Sequence, residues 1–157
     1  MVIKGVTVED FSNYKKPSMF IAFPSCSFKC DKECGAQVCQ NSTLAKSPNL
    51  DIEADIIVKK YLDNPITKAV VCGGLEPFDS WSDLLLFIEK FRRKAQDDIV
   101  IYTGYNKEEI ANKMLILKRY DNIIVKFGRY IPNQKRHYDE VLGVELASLN
   151  QYAEVIS

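Results

Sequence analysis

Ala69-Val70-Val71-Cys72-Gly73-Gly74, Ile99-Val100-Ile101-Tyr102-Thr103-Gly104 and Ile123-Ile124-Val125, the last closed by Gly128, are three short apolar runs that stop at glycine. None alternates polar with apolar, the pattern of a strand buried on both faces of a parallel sheet. Helical signals fill the gaps. Ser80 with Asp83 three residues on is a weak capping box for a helix over about 81–95. Asn106 with Glu109 repeats the signal for a helix over about 107–119. Strand, helix, strand, helix, strand at this spacing implies an α/β chain with right-handed crossovers. Ligands of such sheets bind beyond the carboxyl ends of the strands. Gly73-Gly74 and Thr103-Gly104 fall there.

Outward from this centre, Ser18 to Phe23 reads as a further buried strand, stopped by Pro24. Asp51 is positioned to cap a helix over about 52–63, with Ile52, Ile56, Ile57 and Tyr61 on roughly one face and Asn64-Pro65 as its end. The tail from 129 onward is harder to read, with Ala153 to Ile156 as a candidate last strand. The chain has 157 residues, which suggests one domain spanning 1–157. Apolar residues make up 46% and charged residues 27%, ordinary globular proportions. Twenty-one basic and twenty-one acidic residues cancel, so a strongly basic nucleic-acid footprint is absent. Apolar runs such as Leu84 to Ile88 are far shorter than the ~18 residues of a membrane helix. The first ten residues lack a signal-peptide core. The expectation is a cytoplasmic protein without nucleic-acid or membrane partners.

Cys26, Cys30, Cys34 and Cys39 lie within fourteen residues, in a long loop from Ser25 to about Pro48. Cys72 stands apart at the end of a buried run and is most simply a core residue. Clustered cysteines in a reducing cytosol point to metal or redox chemistry rather than disulfides. Thiolates bind zinc or iron–sulfur clusters. Gaps of three, three and four residues are not those of a zinc ribbon, which pairs two close cysteines with a distant second pair.

Cys26-Ser27-Phe28-Lys29-Cys30 with a further cysteine, Gly73-Gly74-Leu75-Glu76-Pro77, and Tyr102-Thr103-Gly104-Tyr105 together resemble the radical S-adenosylmethionine superfamily. Within it the chain is similar to the small activating enzymes of the anaerobic, glycyl-radical ribonucleotide reductase. Ser148-Leu149-Asn150-Gln151 resembles a Ser-Asn-Gln segment near the end of that family. The resemblance implies a partial, open parallel β/α barrel. A full eight-stranded barrel needs roughly 250 residues.

It also implies a [4Fe-4S] cluster on Cys26, Cys30 and a third cysteine. Cys39 is preferred over Cys34, because the family's third cysteine follows an apolar residue near the adenine, here Val38, and precedes a polar stretch, here Gln40-Asn41. On that reading Lys32 to Gln37 is an insertion and Cys34 is spare. Four thiolates would close the cubane and leave it to electron transfer, whereas three leave one iron open. The resemblance fills that position with S-adenosylmethionine, bound also by Val38, Gln40, Gly73, Gly74, Glu76, Thr103 and Gly104. No catalytic side chain beyond the cluster ligands is implied. The implied reaction is reductive cleavage to a 5′-deoxyadenosyl radical, which takes a hydrogen from a glycine of the reductase large subunit. Flavodoxin or ferredoxin is the implied reductant.

Two rival readings stand beside this one. One keeps the radical chemistry and acts on a small molecule or peptide; the other is a zinc-stabilised interaction module without catalysis. Lys126, inside an apolar run, either reaches a carboxylate at the site or snorkels to solvent. His137, the sole histidine, sits in a polar stretch and reads as a surface residue. Tyr102 and Tyr105 read as packing residues, and Trp81 as core or partner surface. Arg92-Arg93-Lys94 ends a helix, where positive charge suits the dipole.

Overall fold

A computed structural model describes residues 1–26 and 42–157. The chain runs β1 (Val2–Ile3), β2 (Gly5–Asp10), β3 (Ser18–Phe23), a single turn α1 (Ser42–Ala45), β4 (Leu50–Asp51), α2 (Ala54–Asp63) and β5 (Ala69–Gly74). It continues through α3 (Trp81–Arg92), β6 (Asp98–Tyr102), α4 (Ala111–Leu117), β7 (Ile123–Phe127), β8 (His137–Asp139), β9 (Val144–Leu146) and β10 (Tyr152–Val155). Short 3₁₀ turns at Pro77–Ser80 and Lys107–Ile110 lead into α3 and α4.

The central sheet has six strands in the order β10-β7-β6-β5-β3-β2. Its inner four are parallel, as Met19↔Val70, Val70↔Ile99 and Ile99↔Ile123 show. The edge strands β2 and β10 are antiparallel. From β3 to β7 the parallel strands add in one direction. Crossovers of one hand then place α2, α3 and α4 on the same face.

The packing bears this out. Ile57, Val58 and Tyr61 of α2, Leu84, Phe87, Ile88 and Phe91 of α3, and Met114 and Leu117 of α4 share one apolar core. Their strand partners there are Ile21, Val70, Cys72, Ile101, Val125 and others. The alternate strand residues Ala69, Val71, Val100 and Ile124 face the other way. They pack against Tyr14, Leu142, Leu146 and Ala153, so the β8–β9 hairpin covers part of this second face. The result is a mixed α/β fold on a mostly parallel sheet. Among the described residues no helix is long and apolar enough to cross a membrane.

Several local expectations need correction. Asp51 does not cap α2; it pairs with Val2 in the β1–β4 ladder, and α2 starts two residues later with Glu53 at its cap. The buried face is therefore Ala54, Ile57, Val58 and Tyr61, and Ile56 is 46% exposed on the opposite side. Ser80 makes no side-chain cap to α3. Asp83 instead accepts from the Val2 N–H at 2.9 Å, tying α3 to the N-terminal strand. The Asn106 signal holds in part: Glu109 reaches back to the Asn106 N–H at 2.8 Å, and the helix ends early at Leu117.

Candidate functional site

A cavity of about 520 Å³ opens at the carboxyl ends of the parallel strands. Its wall takes Cys26 after β3, Gly73 to Glu76 at the end of β5, Tyr102 to Gly104 at β6, and Lys126 and Gly128 at β7. These are the strand ends singled out from the sequence. Ser12, Asn13 and residues of β9 close the other side.

Gly74 adopts φ 80°, and a Cβ there would lie 2.9 Å from Ala22 Cα on the adjoining strand. The first demand on this glycine is thus internal packing plus a left-handed exit from β5. At Gly73 a Cβ would meet the Phe20 ring at 3.1 Å. Gly73 also lines the cavity, where a bare backbone lets a ligand approach.

Glu76 organises the mouth. The residue is 6% exposed. Oε1 accepts from Phe78 N at 3.1 Å and from Thr103 Oγ1 at 2.9 Å. Oε2 accepts from Gly104 N at 2.8 Å. The Glu76 N–H donates to Ser25 O at 2.7 Å. One residue thus joins the exits of β3, β5 and β6, next to the first cysteine of the loop. Thr103 completes the link, its Oγ1 accepting from Tyr105 N at 3.0 Å.

Burial pushes the Glu76 carboxyl up to about 7, against the lowering effect of its three donors. Over the interval from about 4.5 to 7 the folded state therefore binds more protons than the unfolded one. Stability from this group is fully present at the acid side and falls as pH rises through that window. At ~1.4 kcal/mol per pH unit the loss is about 3 kcal/mol. Urea unfolding between pH 4.5 and 7.5 should show this slope in the parent and a flatter profile in Glu76→Gln. Parallel profiles would contradict the assignment.

The Ser148–Gln151 segment clamps the exit of β7. Gln151 Oε1 accepts from Ala147 N at 3.2 Å and Ser148 N at 3.1 Å, while Nε2 donates to Gly128 O at 3.3 Å. Asn150 Nδ2 donates to Arg129 O at 2.9 Å. The sequence flagged this segment only by likeness; its structural work is to hold Gly128 and Arg129 in place.

Lys126 does not snorkel outward. It is 7% exposed, lines the cavity, donates to Gly128 O at 3.1 Å and lies 5.7 Å from the Tyr102 ring centre. Tyr102 is both cavity wall and tether, its hydroxyl donating to Asn13 O at 2.6 Å. His137 is half-buried in β8 rather than on the surface, and its Nδ1 is enclosed with no partner among the described residues. Trp81 is half-buried, stacks on Phe78 at 5.8 Å and carries Lys113 over its ring. Arg92 donates to the carbonyls of Asp97 (2.8 Å), Asp121 (2.8 Å) and Asn122 (3.1 Å), closing the turns before β6 and β7. Cys72 is fully buried among the helices, and burial pushes its thiol well above the usual range.

Of the expected cluster ligands, Cys26 is placed: half-buried, at the cavity wall, one residue after the carbonyl that Glu76 holds. Cys30 and Cys39 lie outside the described residues, as do Cys34, Val38, Gln40 and the stretch from Lys32 to Gln37. The thiol of Cys26 and the side-chain-free wall beside it fit an iron–sulfur group in donor chemistry and in access. Among the described residues no three His, Cys, Asp or Glu side chains form a metal site.

A family model described as a 4Fe-4S single cluster domain matches residues 17–150. No curated protein and no solved structure matches the chain.

Proposed function

Because the chain belongs to the 4Fe-4S single cluster domain family, we propose that it is a radical S-adenosylmethionine enzyme. Its reaction is reductive cleavage of that nucleoside, leaving a glycyl radical on a partner protein. The partner is the large subunit of an anaerobic ribonucleotide reductase, and flavodoxin or ferredoxin supplies the electron. The observation that carries the reading is the convergence of Cys26, Gly73-Gly74, Glu76 and Thr103-Gly104 on one cavity. The one-directional winding of the parallel strands, with α2, α3 and α4 on one face, supports reading the sheet as part of an open β/α barrel.

Cys26, Cys30 and Cys39 would hold the cluster, which would supply one electron and an open iron when bound. The chain's own residues do the rest. Gly73 and Gly104 let the nucleoside lie against bare backbone. Glu76 fixes the Thr103-Gly104 backbone through its hydrogen bonds, beside the place where the methionine part of the nucleoside would lie. The Ser148–Gln151 clamp holds the β7 exit at Gly128.

The test is an anaerobic incubation of the reconstituted protein with dithionite, S-adenosylmethionine and the purified reductase large subunit. The expected result is release of methionine together with a glycyl-radical resonance on the large subunit. Methionine release without that resonance would contradict the partner and leave the cleavage chemistry.

A further inference from the structure

Lys4, between β1 and β2, bonds to the chain on both sides of the cysteine loop. Its main-chain N–H donates to Ala22 O at 2.7 Å, on the strand that leads into the loop. Its side chain crosses to the segment where the chain comes back. Nζ donates to Ala45 O at 3.3 Å and to Ser47 O, 41 and 43 residues further along the sequence.

The returning segment has a place for such a cation. α1 is a single turn, Ser42–Ala45, with no basic residue of its own. Among the described residues, the local bonds of this turn go to Thr43 O, from Lys46 N at 3.2 Å, and to Leu44 O, from Ser47 N at 3.0 Å and Ser47 Oγ at 2.7 Å. The last carbonyls of a helical turn have no partner inside it and form its negative end. Lys4 brings a charged donor to them from a distant part of the chain.

This tie is well braced. Beyond Ser47 the chain enters β4, whose Leu50 and Asp51 pair with Ile3 and Val2 of β1. The Val2 N–H is in turn held by Asp83 of α3 at 2.9 Å. Leu44 packs at the exit of β5, its Cδ2 3.1 Å from where a Cβ on Gly74 would stand. On the outgoing side, Glu76 N holds Ser25 O at 2.7 Å. Both ends of the loop are thus fastened at the exits of β3 and β5, and Lys4 bonds to the strand on one side and the turn on the other.

We propose that Lys4 is a positioning residue for the iron–sulfur cluster, tying the outgoing and returning ends of the cysteine loop so that its thiolates are presented to one group. Cys26 comes four residues after Ala22, and Cys39 three residues before Ser42. Thiolates that converge on a cluster must order the chain between them, which opposes binding through lost conformational entropy. Ends held together beforehand lessen that loss, the usual gain from preorganisation. Lys4 is not part of the cavity wall, so it acts through the loop and not on the nucleoside. The inference rests on the reading of this loop as the holder of a cluster, and it adds the residue that sets the loop's span.

The experiment is anaerobic iron release from the reconstituted protein to bathophenanthroline disulfonate, followed by loss of the cluster's visible absorption. The variants are Lys4→Met, Lys4→Gln and Lys4→Arg, and amide hydrogen exchange in β5 and β6 of the same loaded samples reports on the fold. Losing a group that orients a metal ligand costs about 10–100-fold in metal affinity, so Lys4→Met should release iron about tenfold faster than the parent or more. Exchange in β5 and β6 should stay at the parent rate, and Lys4→Arg, which keeps a cationic donor, should hold iron nearly as the parent does. Lys4→Gln, shorter and uncharged, decides the matter where Lys4→Met fails to fold. Release at the parent rate from Lys4→Met and Lys4→Gln would overturn the proposal and leave the cluster chemistry standing. Faster release accompanied by faster exchange throughout β5 and β6 in both variants would make Lys4 a general support of the fold and overturn its positioning role. A parent protein that takes up no iron would overturn the cluster reading itself, and this inference with it.

Discussion

Replacing Cys26, Cys30 or Cys39 by alanine is expected to reduce S-adenosylmethionine cleavage to background. Losing a partner that only orients a metal ligand costs about 10–100-fold, and losing a ligand itself should exceed that range. Iron and sulfide content should fall in the same three variants. Cys34→Ala should keep both cluster and cleavage near the parent level, because three thiolates suffice and a fourth would close the open iron. Parallel assays of iron content and methionine release on the four variants check this. An inactive Cys34→Ala beside an active Cys39→Ala would reverse the ligand assignment. The spacing from Cys30 to Cys39 would then have to be read without the insertion at Lys32 to Gln37.

The second large effect is expected at Gly74. Alanine there would suffer twice. The φ of 80° is costly for any residue with a Cβ, by roughly 1–2 kcal/mol. The new methyl would also sit 2.9 Å from Ala22 Cα and 3.1 Å from Leu44 Cδ2, an overpacking worth about 1–3 kcal/mol. Together these should destabilise the fold by about 2–5 kcal/mol, read by urea unfolding. Gly104→Ala is the control. Its nearest neighbours would be 3.6 Å away, ordinary contact distance, so the cost should stay near 1 kcal/mol or below. A Gly74→Ala variant as stable as Gly104→Ala would show that the β5 exit relaxes freely and that a glycine at 74 is not needed for the fold.

The inner strands were legible because each is buried on both faces and reads as an unbroken apolar run. β3, β5, β6 and β7 include the expected residues. β2 was not legible: its Gly-Val-Thr-Val-Glu-Asp is an edge strand with exposed Thr7, Val8 and Glu9, and its pairing comes from β3 rather than from its own pattern. The β8–β9 hairpin left no sequence signal either, since three-residue strands are too short to show a period. The start of α2 was misread because Asp51 is a good cap type, yet the ladder with β1 claims its backbone first. At the site, the strand-end positions were legible from glycine and threonine placement. The inward course of Lys126 was not, because an apolar run with one lysine fits either face until its neighbours are known. The role of Glu76 as a staple between strand ends depends on Ser25, Thr103 and Gly104, residues 27 and more positions away in one case and 51 in the other, which no local pattern reveals.

The most direct measurement is an electron paramagnetic resonance spectrum of the reconstituted, dithionite-reduced protein, recorded with and without S-adenosylmethionine. The expected result is a reduced-cubane signal whose shape changes when the nucleoside is added, the sign of an open iron that takes it. A cubane signal indifferent to the nucleoside would mean four thiolate ligands and an electron-transfer role. Bound zinc with no such signal would contradict the account at its root.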